Sequence, residues 1–156
     1  MAETHWIEIN GALLVGNSTH WDALINTQEE INRALEFKTW AILGLSNNPD
    51  RAAFSVAELL KQKGHTIIPV HPKAETVHGE KGYATLEEIP MKVDVVDFFI
   101  NSELVSRNVD RAIAIGAKAI WLQLGVIDEE SVKRAEAAGL IAIMDRCPAI
   151  EYRKVN

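Results

Sequence analysis

From residue 39 onward, short apolar runs rich in β-branched side chains alternate with stretches whose apolar positions recur at helical spacing. That alternation is the pattern of repeated βαβ units feeding a parallel sheet. Five strands are predicted, at 39–44 (TWAILG), 66–70 (TIIPV), 93–100 (VDVVDFFI), 119–123 (AIWLQ) and 140–144 (LIAIM). Each is nearly continuous in apolar character, as a strand covered on both faces must be. Helices are predicted between them. Residues 53–63 carry Phe54, Ala57, Leu59 and Leu60, and residues 103–115 align Leu104, Val105, Val109, Ala112, Ile113 and Ile115 on one broad face. A third helix spans 128–138. Each of the three runs into a glycine (Gly64, Gly116, Gly139) where the chain must turn left-handed toward the next strand. The expected architecture is α/β in three layers, a five-stranded parallel sheet with helices on both faces.

Two segments depart from this rhythm. Residues 72–90 form a longer irregular connection with Gly79, Gly82 and Pro90, inside which 85–89 (TLEEI) reads as a single helical turn. Residues 1–38 read as an N-terminal extension preceding a domain of 39–156. Within the extension, Asn10-Gly11 lies between two apolar segments, the signal of a two-residue hairpin turn. Thr27-Gln28-Glu29-Glu30 then fits a capping box that opens a helix through Phe37.

Composition narrows the function classes. At 156 residues, with 47% hydrophobic and 24% charged side chains, the chain fits one globular domain. Its net charge of −6 argues against nucleic acid or an anionic membrane as partner, since both reward a basic surface. No run approaches the apolar length of a membrane span, and the N-terminus lacks a secretory leader pattern. The single cysteine, Cys147, permits no intrachain disulfide, which fits a cytoplasmic location. Homodimerisation is compatible with the sequence, although no motif encodes it.

Candidate chemistry concentrates where the first strand ends. Gly44-Leu45-Ser46-Asn47-Asn48-Pro49-Asp50-Arg51 sets a small residue, a hydroxyl, two amides and a guanidinium where a strand hands over to a helix. Free backbone amides and the positive end of a helix dipole favour anions there, and Arg51 can present a forked pair of donors to phosphate oxygens. Ligands of open parallel sheets also gather at the carboxyl ends of strands. An ordinary polar βα loop with a surface arginine would read the same way; the frequency with which such first turns hold phosphate favours the anion site. The G-x-G-x-x-G fingerprint and the Walker A ending are both missing, which argues against a nicotinamide or flavin dinucleotide. After the second strand, Pro72-Lys73 stands where a dehydrogenase would show an acidic residue. Lys73 reads equally as the partner of an extra phosphate or as a solvated lysine.

Six stretches taken together resemble the small coenzyme A-binding proteins of Rossmann-like fold, related to the N-terminal domain of the succinyl-CoA synthetase α subunit. They are GLS and PDR in 44–51, PVHPK in 69–73, GEKGYATL in 79–86, VDVVD in 93–97, GAK with WLQLGV in 116–126, and MDRCPAIE in 144–151. The resemblance implies a ligand, coenzyme A or an acyl-CoA, whose pyrophosphate lies over the turn after Gly44. It further implies that the adenosine and its 3′-phosphate lie near Pro72 and Lys73, and that the pantetheine arm passes the end of the third strand. The candidate cofactor-binding set is therefore Gly44, Leu45, Ser46, Asn47, Asn48, Pro49 and Arg51, with Pro72, Lys73, Phe99, Ile100, Gln123 and Gly125. Ala52-Ala53-Phe54 stands where the family commonly has Pro-Ser-Tyr, His71 where asparagine is frequent, Ile100 where an arginine usually follows, and Tyr152 in place of a frequent histidine. The changes at Ala53 and Ile100 remove polar partners for the ligand.

No catalytic constellation emerges. Cys147 beside Arg146 could be an activated thiol, but lone cysteines are more often buried and inert, and no base is assigned to it. The five histidines lack metal-ligand spacing. Asp94 and Asp97 are three apart, which in a strand turns their side chains to opposite faces and makes them a poor acid–base pair. Trp121 and Gln123 share a face near the fourth strand's end, Trp121 reading chiefly as core. In the synthetase resemblance the catalytic histidine lies in a further domain. The leading expectation is a stand-alone coenzyme A or acyl-CoA module without a reaction of its own. The alternatives are a Rossmann oxidoreductase or transferase using another nucleotide, and a scaffold reporting ligand state to a partner protein.

Overall fold

The computed structural model describes residues 5–9, 12–16 and 26–155, with side chains from 26 to 154. Five parallel strands form the main sheet: β3 (Thr39–Leu43), β4 (Thr66–Val70), β5 (Val95–Phe98), β6 (Ala119–Leu122) and β7 (Ile141–Ile143), in the order β4-β3-β5-β6-β7. β3 lies between β4 and β5, so the chain winds outward to β4 and then returns across β3 to build the other half. That reversal of direction falls between β3 and β5, and it opens a crevice at their carboxyl ends.

Period-two alternation divides the strand side chains between two cores, giving three layers. Trp40, Ile42, Ile67, Val95, Ala119, Trp121 and Ile143 pack with α1 (Gln28–Glu36), α2 (Ala52–Gln62) and α5 (Pro148–Val155). Ala41, Leu43, Ile68, Val70, Val96, Phe98, Ile120, Leu122 and Ala142 pack with α3 (Val105–Ala114) and α4 (Glu129–Ala137). The fold is the expected Rossmann-like α/β arrangement. Gly64, Gly116 and Gly139 follow α2, α3 and α4 and all have positive φ, as the helix-stop reading requires.

Element ends differ from expectation where local chemistry intervenes. Residues 93–100 yield only the four-residue β5, because Asp94 precedes it with a carboxylate that accepts from the Thr39 amide (3.0 Å) and pairs with Lys118 (3.5 Å). The helix predicted at 103–115 begins as a separate 3-10 turn, Ser102–Leu104, ahead of α3. The turn in the long connection is a 3-10 turn at Leu86–Glu88. α5 is an element that the periodicity did not suggest.

In the N-terminal extension, β1 (His5–Ile9) and β2 (Ala12–Gly16) pair antiparallel with Ile9 opposite Ala12. The predicted Asn10-Gly11 turn between them lies outside the described residues. The Thr27 side chain accepts from the Glu30 amide (3.2 Å), so the hydroxyl half of the capping box is formed. Ile31, Ala34 and Leu35 of α1 are buried in the same core as Trp40. Asn26 adds a pair of buried hydrogen bonds, donating to the Met144 carbonyl (2.7 Å) and accepting from its amide (2.9 Å) at the end of edge strand β7.

Candidate functional site

The crevice between β3 and β5 is a cleft of about 750 Å³. Its floor is made by strand ends: Leu43 and Gly44 at the end of β3, Val70, His71 and Pro72 at the end of β4, Phe99 and Ile100 after β5, and Gln123 after β6. One wall is the first turns of α2, from Arg51 to Val56. The opposite wall is α3 with the 3-10 turn ahead of it, through Leu104, Arg107, Asn108 and Arg111.

Gly44 is dictated by this geometry. Its φ is +88°, and a Cβ there would lie 2.1 Å from the Phe99 carbonyl oxygen, so the two strand ends approach too closely for any side chain. The Gly44 amide donates to Val70 (2.8 Å) and the Phe99 amide donates to Leu43 (3.0 Å), which closes the floor across three strands. Beyond Gly44 the turn is anchored by Leu45, fully buried under α2. Asn48 shapes the next step, its Oδ1 accepting from the Asp50 amide (3.0 Å) and its carbonyl from the Arg51 amide (3.1 Å). Arg51 is the N-cap of α2, and its exposed side chain, at the mouth of the cleft, pairs with none of the described carboxylates. The Asn47 amide faces a carboxylate oxygen of Glu75 at 3.4 Å. This turn therefore already holds an anionic oxygen supplied by the chain itself.

Of the thirteen candidate residues, Gly44, Arg51, Pro72, Phe99, Ile100 and Gln123 line the cleft together. Leu45, Ser46, Asn47, Asn48 and Pro49 build the turn but do not line it, and neither do Lys73 and Gly125. Lys73 is exposed next to Pro72; its amide donates to His71 Nδ1 (3.1 Å). That bond leaves Nε2 of a neutral His71 to carry the ring proton, as a donor on the cleft floor. Gly125 is held away from the cleft by Asp145, whose Oδ1 accepts from its amide (2.8 Å).

Below the floor, Gln123 Nε2 donates to Asp97 Oδ1 at 3.4 Å. Asp97 is fully buried in β5, and its other oxygen has no hydrogen-bond partner among the described residues. Desolvation drives its pKa well above the ordinary carboxyl value, against the smaller opposing pull of the Gln123 side chain and the Phe98 backbone. Trp121 is core, with Nε1 donating to the Arg146 carbonyl (2.9 Å) and its ring against Trp40. Cys147, expected to be buried, is only partly so and lines the cleft at the start of α5.

Sequence reasoning missed the α3 wall. Leu104, Arg107, Asn108 and Arg111 fall at i, i+3, i+4 and i+7, one stripe of a helix, and a polar stripe of that kind reads as a solvated face. Their position one to three turns after the third strand was the available signal. With them, the cleft carries three arginines and no carboxylate among its lining residues, in a chain whose net charge is −6. The cleft is thus a local inversion of the protein's charge, suited to an anionic ligand.

A family model described as the CoA binding domain matches residues 38–153. The chain belongs to that family. Membership agrees with the resemblance read from the six sequence stretches. Over 127 residues, 81% of this chain and 94% of the relative, it is 32% identical to the uncharacterized protein YneT of Bacillus subtilis. It is 30% identical over 81 residues, 51% of this chain, to the alpha subunit of an ADP-forming acetate–CoA ligase II of Pyrococcus furiosus. That match spans 18% of the ligase subunit. Among solved structures, a hypothetical protein from Pyrococcus horikoshii superposes with a TM-score of 0.78 at 38% identity, covering 82% of this chain and 91% of the other.

Proposed function

We propose that the cleft binds coenzyme A, free or acylated, and that the chain acts as a stand-alone cytoplasmic binding module with no reaction of its own. The observation that carries this reading is the arginine-lined, carboxylate-free cleft at the reversal point of the sheet, in a member of the CoA binding domain family. The pyrophosphate is assigned to the 44–51 turn, where Arg51 and the uncapped start of α2 offer donors. The adenosine end is assigned to Pro72 and Lys73, with Lys73 reaching the 3′-phosphate from the rim. The pantetheine arm crosses Phe99 and Ile100 toward Gln123. Gln123 offers an amide at the end of that path, and it is oriented by Asp97.

Calorimetric titration of the full chain with coenzyme A up to millimolar concentration tests the reading. Saturable binding is expected, weakened about tenfold or more by Arg51→Ala, since hydrogen bonds to charged groups contribute about 1.5–3 kcal/mol. Absence of heat at millimolar ligand, or an Arg51→Ala variant of unchanged affinity, overturns it.

A further inference from the structure

The α3 side of the cleft has a chemistry of its own. Leu104 and Leu124 are two of only five large hydrophobic side chains that stand exposed among the described residues, Leu124 at 55%, and both line the cleft. They come from different segments, the 3-10 turn before α3 and the loop after β6, which are tied side by side where the Ile127 amide donates to Ser102 Oγ (3.1 Å). With the half-buried Ile100 beside them on the cleft floor, they make an apolar ledge that continues outward from the end of β5. A polar cofactor arm gives no reason to expose two leucines; a hydrocarbon chain does.

Past the ledge, one helical turn along α3, stands Arg107. Arg111 is paired with Glu87 (3.3 Å), whereas Arg107 pairs with none of the described carboxylates. Asn108 is also occupied, its Nδ2 donating to the Leu104 carbonyl (2.9 Å). A single free guanidinium therefore terminates the apolar ledge. Its two forked donors match one carboxylate, while a phosphate monoester would ask for more positive charge than this end supplies.

We propose that Ile100, Leu104, Leu124 and Arg107 form an acyl subsite selective for thioesters of dicarboxylic acids. The methylenes lie along the ledge and the far carboxylate lies on Arg107. The proposal rests on the coenzyme A reading of the same cleft and specifies its acyl group.

The test compares glutaryl-CoA with pentanoyl-CoA, which share a five-carbon acyl chain and differ in the terminal carboxylate. Calorimetry on the full chain is expected to show glutaryl-CoA bound about two- to fivefold more tightly, the upper part of the range for an ion pair at an exposed site. Arg107→Gln brings that ratio to about one, whereas Arg51→Ala weakens both ligands and leaves the ratio intact. Equal affinities in the unmodified protein, or a ratio that survives Arg107→Gln, overturn the acyl subsite while coenzyme A binding stands. A variant that loses discrimination between coenzyme A and dephospho-coenzyme A also overturns it, by assigning Arg107 to the ribose phosphate. Failure of all these ligands to bind removes the coenzyme A reading itself, and the acyl subsite with it.

Discussion

Gly44 shows how much of the site hangs on one position. A side chain there meets two separate obstacles, the left-handed φ of +88° and a carbonyl oxygen at 2.1 Å on the neighbouring strand end. Gly125 also has a positive φ, +79°, but a Cβ on it would meet nothing within 4 Å. Gly44→Ala and Gly125→Ala therefore share the conformational cost of about 1–2 kcal/mol, and only the former adds backbone overlap, typically a further 1–3 kcal/mol. Thermal unfolding should place Gly44→Ala below Gly125→Ala by several degrees, at roughly 2–4 °C per kcal/mol for a chain of this size. Coincident melting temperatures would refute the close approach of β3 and β5. The glycine was legible in the sequence because a strand running into Gly-Leu-Ser implies a turn. The reason for it was not, because the Phe99 carbonyl is brought there by pairing between strands more than fifty residues apart. Arg107 escaped notice for a related reason: a charged residue on a helix looks solvated until the partner wall of a cleft is known.

At the scale of elements, the five strands and the three helix-glycine junctions follow from periodicity because both signals are local. α5 was hidden inside a stretch read for its chemistry, and its eight residues, PAIEYRKV, show no clean helical period. The junction between the N-terminal extension and the sheet was also illegible, since it depends on Asn26 meeting Met144 across 118 residues. There a side-chain amide imitates a strand, satisfying both the N–H and the C=O of Met144 at the edge of the sheet. The same backbone leads through Asp145 and Arg146 to Cys147 at the cleft. Asn26→Ala removes both bonds from a buried site and is expected to cost about 1–3 kcal/mol. Asn26→Asp keeps the acceptor for the Met144 amide but sets a carboxylate against the Met144 carbonyl, and should be at least as damaging at neutral pH. Urea unfolding of the two variants checks this. Stabilities equal to the unmodified protein would show that the pair contributes nothing to docking the extension.

Across the whole molecule, two buried titratable groups on the same side of the sheet respond to pH in opposite senses. His65 sits under the α1–β3 junction, Nδ1 toward the Phe37 carbonyl (2.8 Å) and Nε2 toward the Tyr152 hydroxyl, and desolvation lowers its pKa against the weaker pull of the Phe37 and Lys38 carbonyls. A depressed folded pKa means that the stability it confers is present above 6.5 and is lost as pH falls through the folded value. Asp97 is the reverse case. Its folded pKa is raised, so its contribution is complete below the ordinary 3.8 and drains away as pH climbs toward the folded value, because the unfolded chain releases a proton that the buried carboxyl retains. Asp97→Asn abolishes this second dependence while leaving His65 and every surface carboxylate in place. The difference in unfolding free energy between Asp97→Asn and the unmodified protein should therefore shift in favour of the variant as pH rises above 3.8. Both proteins should still lose the His65 contribution below pH 6.5. Stability curves that stay parallel above pH 3.8 would mean that Asp97 ionises in the folded protein as readily as in the unfolded chain. The raised pKa of Asp97 also bears on the cleft, since burial favours the uncharged carboxyl beneath Gln123 and so reduces the buried negative charge that would oppose an anionic ligand. The desolvation of Asp97 thus joins the stability of the sheet to the charge inversion that marks the cleft.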